Sequence, residues 1–237
     1  DNYIAALKLG NARLAEGDRP GAEQMFRHSL KLNDDYAYAF NNLANLLAAT
    51  GRTSQALRVY DQAVASDPGN PERYHNRAIL LNRLGRLEAA LADELTATQM
   101  RPDFADAWYN LAMVQEKMKH PGDAEQAYLK AVESNPNHAD AYYNLGLLYL
   151  TFEQVVTSKV EAAFAAAVAA RPSHANAQNN LGVLRMQKGD LRGAAAAFKM
   201  AVDHDPNAAA GTYANYGMAL ANSGQVAAAI AAYEEAL

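Results

Sequence analysis

The sequence has no cysteine among its 237 residues. A disulfide framework and thiolate metal ligation are thereby excluded. No uninterrupted apolar run approaches the ~18 residues that a membrane-spanning helix requires, so membrane insertion is not expected. Basic residues are not in excess: 21 Lys and Arg stand against 26 Asp and Glu, and the formal net charge is −5. The pI is about 5.7. A phosphate-tracking surface needs a basic stripe, and the Lys and Arg here are scattered among acids, so nucleic acid is not an expected partner. Glycines come one or two at a time, and none builds a phosphate-cradling loop. The six histidines, His28, His75, His120, His138, His174 and His204, show no metal-ligand spacing. His138 and His174 follow prolines and are expected in loops, solvated or capping a helix. Single Ser and Thr residues have no nucleophile context. No metal, no cofactor and no catalytic residue is expected. The chain opens on Asp1, with neither Met nor signal peptide, as a piece of a longer protein would. The compartment is left open, cytoplasmic and periplasmic both being compatible.

What is present is a period. Pro68, Pro102 and Pro136 are 34 residues apart, and Pro172 and Pro206 follow at 36 and 34. A fixed period of this length signals a repeat architecture. The units are 3–36, 37–70, 71–104, 105–138, 139–174 and 175–209, with a partial unit 210–237. Each reads as two helices. In the fourth unit Trp108, Leu111, Ala112 and Gln115 fall at i, i+3, i+4 and i+7, which makes one face; Phe40, Leu43, Ala44 and Leu47 do the same in the second. A turn follows, often with Gly (17, 51, 85, 189, 224), because Gly accepts φ > 0 at a helix end. The second helix carries Ala56, Tyr60 and Ala63, and the first of these recurs as Ala22, Ala90, Ala124, Ala194 and Ala229. Small residues there let two helices approach closely. The runs "DPGN", "RPDF", "NPNH", "RPSH" and "DPNA" then end the second helix. One such pair cannot bury its own face, and stacking does so.

The order aromatic-x-x-Leu-Gly/Ala, then Gly, Ala, aromatic, Ala and Pro in a 34-residue frame resembles the tetratricopeptide repeat (TPR) family; "ADAYYNLGLLYL" and "GDAEQAYLKAVESNP" are close to its pattern. The resemblance runs over residues 3–237 as a single array. It implies an all-α solenoid, a right-handed superhelix of about seven helix pairs. The first helices would line a concave groove that binds a peptide segment of a partner protein.

Several positions depart from the pattern. Arg77 stands where other units have Leu, and Glu94 where they have Tyr or Phe. A lone buried charge is costly, so Arg77 and Glu94 are expected to pair with each other; the alternative is that both snorkel to solvent. The unit 139–174 is two residues longer than its neighbours at "TFEQVVTSKVEA", lacks the turn Gly and puts Val160 in the small slot, so a longer connection is expected. Another extra residue, near Ala208–Ala210, belongs in the loop between units. The Ala runs "EAAFAAAVAA" and "GAAAAF" read as helix formers on outer faces. The chain stops inside a second helix with no polar cap after it, so either more chain follows in the full protein or a neighbour covers this end, as in self-association through terminal repeats.

Asn recurs at one place on the first helix: Asn42, Asn76, Asn110, Asn144, Asn180 and Asn215. Asn is a mediocre helix former, so six recurrences call for a reason. The position lies outside the core stripe, on the stripe that the resemblance makes the groove wall. An amide there offers both donor and acceptor to a peptide backbone. It can equally bond the next repeat and fix the stacking, and the two roles can coexist. The row is similar to the asparagine ladder in the TPR superhelix of O-GlcNAc transferases, and a substrate-recruiting arm of a larger enzyme is the alternative function. Beside the ladder, Tyr38, His75, Tyr109, Met113, Tyr143, Leu147 and Asn179 would set specificity; Tyr and Met suit adaptable interfaces. Clamping a carboxylate tail in the manner of chaperone-binding TPRs needs Lys and Arg where this chain has His75, Asn76, Asp106 and Asn110.

Overall fold

The computed structural model describes residues 2–152, 157–205 and 210–237. They form fourteen helices and, among the described residues, no strand. In order these are α1 (Asn2–Ala15), α2 (Arg19–Leu32), α3 (Ala37–Ala49), α4 (Thr53–Ser66), α5 (Pro71–Arg83), α6 (Leu87–Met100) and α7 (Ala105–Lys117). Then come α8 (Pro121–Ser134), α9 (Ala139–Leu150), α10 (Thr157–Ala170), α11 (Ala175–Gln187), α12 (Leu191–His204), α13 (Ala210–Asn222) and α14 (Val226–Glu234). The architecture is an all-α solenoid of helical repeats. The chain divides into two compact units, Asp1–His120 and Pro121–Leu237, the boundary falling between the two helices of the 105–138 repeat.

The turn and terminator chemistry explains where helices stop. The five turn glycines all take the left-handed conformation, with φ between 71° and 85°; in the 105–138 repeat Lys119 takes it instead, at 62°. Helices α4, α6, α8 and α10 end two residues before Pro68, Pro102, Pro136 and Pro172, because the residue before a proline is pushed out of the helical region. Starts are capped by side chains. Asp18, Asn70 and Asp190 accept from backbone N–H groups in the first turns of α2, α5 and α12. His138 and His174 do the same for α9 and α11 through Nδ1. The aromatic slot of the first helix reaches back as well: Tyr74 Oη, Trp108 Nε1 and Gln178 Nε2 donate to the carbonyls of Pro68, Pro102 and Pro172, each six residues upstream, at 3.1, 2.8 and 3.3 Å. Three different side chains thus tie the interrepeat turn to the helix that follows it.

The core repeats too. Leu43, Leu111, Leu145 and Leu181 are buried at one slot, and Ala22, Ala56, Ala90, Ala124 and Ala194 at another. Val160, larger than the alanines it replaces, is also fully buried. Where the first helix has Gly146 or Gly182, the facing ring is Phe164 or Phe198, and a Cβ would stand 2.6 or 2.8 Å from it. The alanine runs are not confined to outer faces: Ala163, Ala167, Ala194, Ala195 and Ala197 are buried. A small residue is what a close helix crossing needs, so propensity and packing select the same residue there. In the 139–174 repeat α9 ends at Leu150 and α10 begins at Thr157. The expected longer connection falls largely on 153–156, outside the described residues, as do Pro206 and most of the extra residue's neighbourhood at 208–210.

Candidate functional site

The ladder stripe runs along first helices in both units. In the first unit Asn42, Asn76, Asn110, Tyr109 and Met113 are half-buried and Tyr38 is 68% exposed. In the second, Asn144, Asn180, Asn215, Tyr143, Leu147 and Asn179 are all half-buried. The amides are bonded sideways. Asn76 Nδ2 donates to Asn41 Oδ1 at 3.1 Å, and Asn180 shares a hydrogen bond with the Tyr143 hydroxyl. In both cases the partner is the residue just before the preceding rung. For Asn42 that residue is the apolar Leu7, and its Nδ2 turns instead to Asn11 Oδ1 at 2.7 Å. For Asn110 it is His75, which is engaged elsewhere, and the amide donates to the Asp106 carbonyl of its own helix at 3.1 Å. A similar cross-repeat bond joins Lys117 Nζ to Asn82 Oδ1 at 2.6 Å. Among these four rungs, Asn42, Asn76 and Asn180 bond across to the preceding repeat and Asn110 bonds within its own helix.

The expected Arg77–Glu94 pair is not what the structure holds. Glu94, only 1% exposed, has its two carboxyl oxygens 3.0 and 3.2 Å from His75 Nδ1, within hydrogen-bond reach. Arg77 makes a two-point contact with Asp93, at 2.7 and 2.8 Å, and a third bond to Asp61 at 2.8 Å. Adjacent helical residues point about 100° apart. Asp93 therefore meets the Leu slot that Arg77 fills, while Glu94 points into the aromatic slot and is reached from one turn-face further by His75. The prediction matched the right helices and missed the neighbour by one residue. His75 is consequently not a free groove residue: it is buried against Phe104, ring centres 4.8 Å apart. Burial pushes the Glu94 carboxyl up to about 7, opposed by the bond and charge of His75.

Arg73 was missed altogether. It is 4% exposed and occupies a slot that is Ala39, Ala107, Ala141 and Ala177 in other repeats. Its guanidinium donates to the Ala63 carbonyl, Ser66 Oγ, and the backbone and carboxylate of Asp35. It thus caps the end of α4 and holds the turn before α3. The readable signal was a charge in an alanine slot.

In the second unit His174 stacks on Tyr143, centres 4.7 Å apart, with Nε2 3.4 Å from Asp140 Oδ1. Burial, then the nearby Arg171 charge, lowers its pKa against the pull of Asp140. A neutral ring is what the cap requires, since Nδ1 accepts from Ala177 N. Among the described residues no group of His, Cys, Asp and Glu is arranged to hold a metal ion. No described helix is long and apolar enough to cross a membrane.

Fourteen helices in pairs, with stripes of recurring residues on the first of each pair, define a helical-repeat protein. Sequence models of the tetratricopeptide repeat match residues 13–84, 105–138, 127–159, 161–209 and 210–237. The chain belongs to the tetratricopeptide repeat family. Members of this family are in general protein-interaction modules. Comparison with curated protein sequences finds no match. Among solved structures, PilF of Pseudomonas aeruginosa is similar over 92% of this chain and 96% of its own, with a TM-score of 0.72 and 21% identity. A tetratricopeptide repeat protein of Parabacteroides merdae is similar over 99% of this chain and 91% of its own, with a TM-score of 0.64 and 20% identity. YrrB, described as a TPR protein with an unusual peptide-binding site, is similar over 77% of this chain and 93% of its own, with a TM-score of 0.56 and 25% identity.

Proposed function

We propose that the chain is a non-catalytic scaffold that binds an extended peptide segment of a partner protein along the asparagine stripe. The observation that carries this reading is the way the rungs are held. Asn42 and Asn76 are each fixed by a bond across to the preceding repeat. One such bond leaves most of an amide's donor and acceptor capacity unspent. Such an amide is pre-oriented, which lowers the ordering cost of binding a backbone. The half-buried Tyr109, Met113, Tyr143 and Leu147 beside the rungs supply adaptable side-chain contacts. The peptide-binding site ascribed to YrrB supports the class of ligand. The cross-repeat bonds also stabilise the stacking, so the asparagines serve both purposes. Nucleic acid is disfavoured as partner by the net charge of −5.

Each backbone bond contributes only ~0.5–1.5 kcal/mol, so several rungs must act together. The test is peptide display against the wild-type chain and against a variant with Asn76, Asn110 and Asn144 all changed to Ala, with thermal melts of both. Peptides enriched by the wild type and lost by a folded variant support the reading. Equal enrichment by both sinks it.

A second reading, self-association, rests on α14. Val226, Ile230 and Tyr233, at i, i+4 and i+7, are exposed on one face of it. Light scattering over a concentration series tests this: a mass that rises in the wild type and stays flat after Ile230→Asp supports it, and a flat wild-type mass rejects it.

A further inference from the structure

The first unit has a cavity of about 480 Å³ between α4 and α6, floored by α5. It lies one step round α5 from the ladder: Arg77 and Leu81 line it, not Asn76 or Leu80. Three arginines face it, Arg58, Arg77 and Arg86. Asp61 and Asp93 also line the cavity, but both carboxylates are bound by Arg77. Arg58 and Arg86 make no ion pair among the described residues, and both are exposed. Arg77 has five N–H donors and uses three on the two aspartates, which leaves two unspent. Three guanidinium groups against two carboxylates leave the crevice with a net charge of +1, carried by the unpaired Arg58 and Arg86, which favours a negative ligand. Ser54, at the start of α4, adds a hydroxyl to the rim, and Leu57 and Leu81 make part of the wall apolar.

The second unit offers an internal comparison. Its cavity between α8 and α10, over α9, is about 340 Å³ and is lined by Leu129, Tyr142, Leu145 and Tyr149. The one cation there, Lys159, lies 3.5 Å from Glu125 and over the Tyr149 ring. The same crevice of the fold is thus apolar in one unit and supplied with two unpaired arginines in the other, so the charge is not a requirement of the helix crossing itself.

We propose that the Arg58–Arg77–Arg86 crevice is an oxyanion site that takes a carboxylate or phosphate group on a short apolar stem, presented by a segment of a partner protein. Guanidinium groups recognise both anions through paired N–H bonds. The site is independent of the asparagine stripe and can hold a second part of the same partner or a different one.

The test uses the full chain labelled with ¹⁵N at arginine, followed by its side-chain Nε–Hε resonances near neutral pH. Inorganic phosphate and butyrate are the probes, each compared with chloride at equal ionic strength. The expected result is saturable shifts confined to Arg58, Arg77 and Arg86 with at least one probe, weakened at least about tenfold in R58A/R86A, which removes two charge-assisted contacts. Saturation by phosphate alone points to a phosphorylated segment, and by butyrate to a carboxylate. Both substituted residues are exposed, and the single variants R58A and R86A, checked by circular dichroism, serve if the double variant is less stable. Shifts spread over Arg27 and Arg192 as well, shifts reproduced by chloride, or undiminished binding by the folded variants would overturn the proposal.

Discussion

Glu94 is a carboxyl buried in a slot built for an aromatic ring, and replacing it by Gln tests how that slot is stabilised. Burial raises its pKa from 4.5 to about 7 in the folded chain. The folded state therefore holds the proton more tightly than the unfolded state. Stability from this group is fully present below about pH 4.5 and is lost as pH rises through about 7. A shift of this size corresponds to about 3 kcal/mol at 1.36 kcal/mol per unit. Gln has nearly the same shape, keeps hydrogen-bonding capacity towards His75, and does not ionise. Glu94→Gln should leave stability little changed near pH 4.5, raise it progressively as pH climbs from about 4.5 to 7, and hold a gain of about 3 kcal/mol above that. The ionisable groups common to both proteins cancel in the difference. Trp108, the single tryptophan, lies on α7, which packs against α6, so urea unfolding followed by its fluorescence reads the right unit. Repeat arrays need not unfold in one step, which makes a local probe preferable to a global one. A difference between the two proteins that stays constant over pH, or shrinks as pH rises, refutes the reasoning.

Two further substitutions read the same repeat. Arg77→Leu restores the residue of the other repeats but leaves Asp93 buried without its cation, and should cost about 3 kcal/mol by urea unfolding; adding Asp93→Val should recover most of it, and a double variant no better than the single one contradicts the pairing. Arg73→Ala also restores the residue of its slot, yet removes the guanidinium bonds to the Ala63 carbonyl, Ser66 and Asp35 and opens a void; a loss of about 2–4 kcal/mol is expected in the same assay, and a change below about 0.5 kcal/mol contradicts the capping role.

The fold was legible because its signals are redundant. Period, turn glycines, interrepeat prolines and the Leu and Ala slots each recur, so one failure, such as Lys119 in a glycine's place, does not obscure the rest. The six rungs were legible for the same reason. Their partners were not. Whether Asn110 bonds its own helix or its neighbour depends on His75 being drawn away by Glu94, and that depends on a non-repeating residue on another helix. Arg73 is hard to read for a related reason: a charge is conspicuous in a Leu or aromatic slot but not in an alanine slot at the edge of the core, from which a long side chain can leave the helix pair and reach Asp35. Periodicity predicts positions well and pairings poorly, since a one-residue step on a helix turns a side chain by about 100°.

The polar exchanges in the 71–104 repeat are mutually matched, and that bears on what they do. Arg77 in a Leu slot meets Asp93 in a slot that is Val59 or Ala127 elsewhere, and His75 on the ladder stripe meets Glu94 in the slot of Tyr60 and Tyr128. A buried ion pair contributes little net stability compared with apolar residues of similar volume, so these pairs are weak as glue. Their effect is on the alternatives. Leu, Ala and Phe slots are nearly alike from repeat to repeat, so an array built only from them offers α5 several helices of comparable fit. A helix that presents Arg73, His75 and Arg77 together is satisfied only beside the helices that carry Asp35, Ser66, Glu94 and Asp93. Docked anywhere else it would bury unpaired charge, at a cost larger than any packing gain on offer. In a chain of near-identical parts, the buried polar partners of the 71–104 repeat therefore favour one placement of α5 over the others.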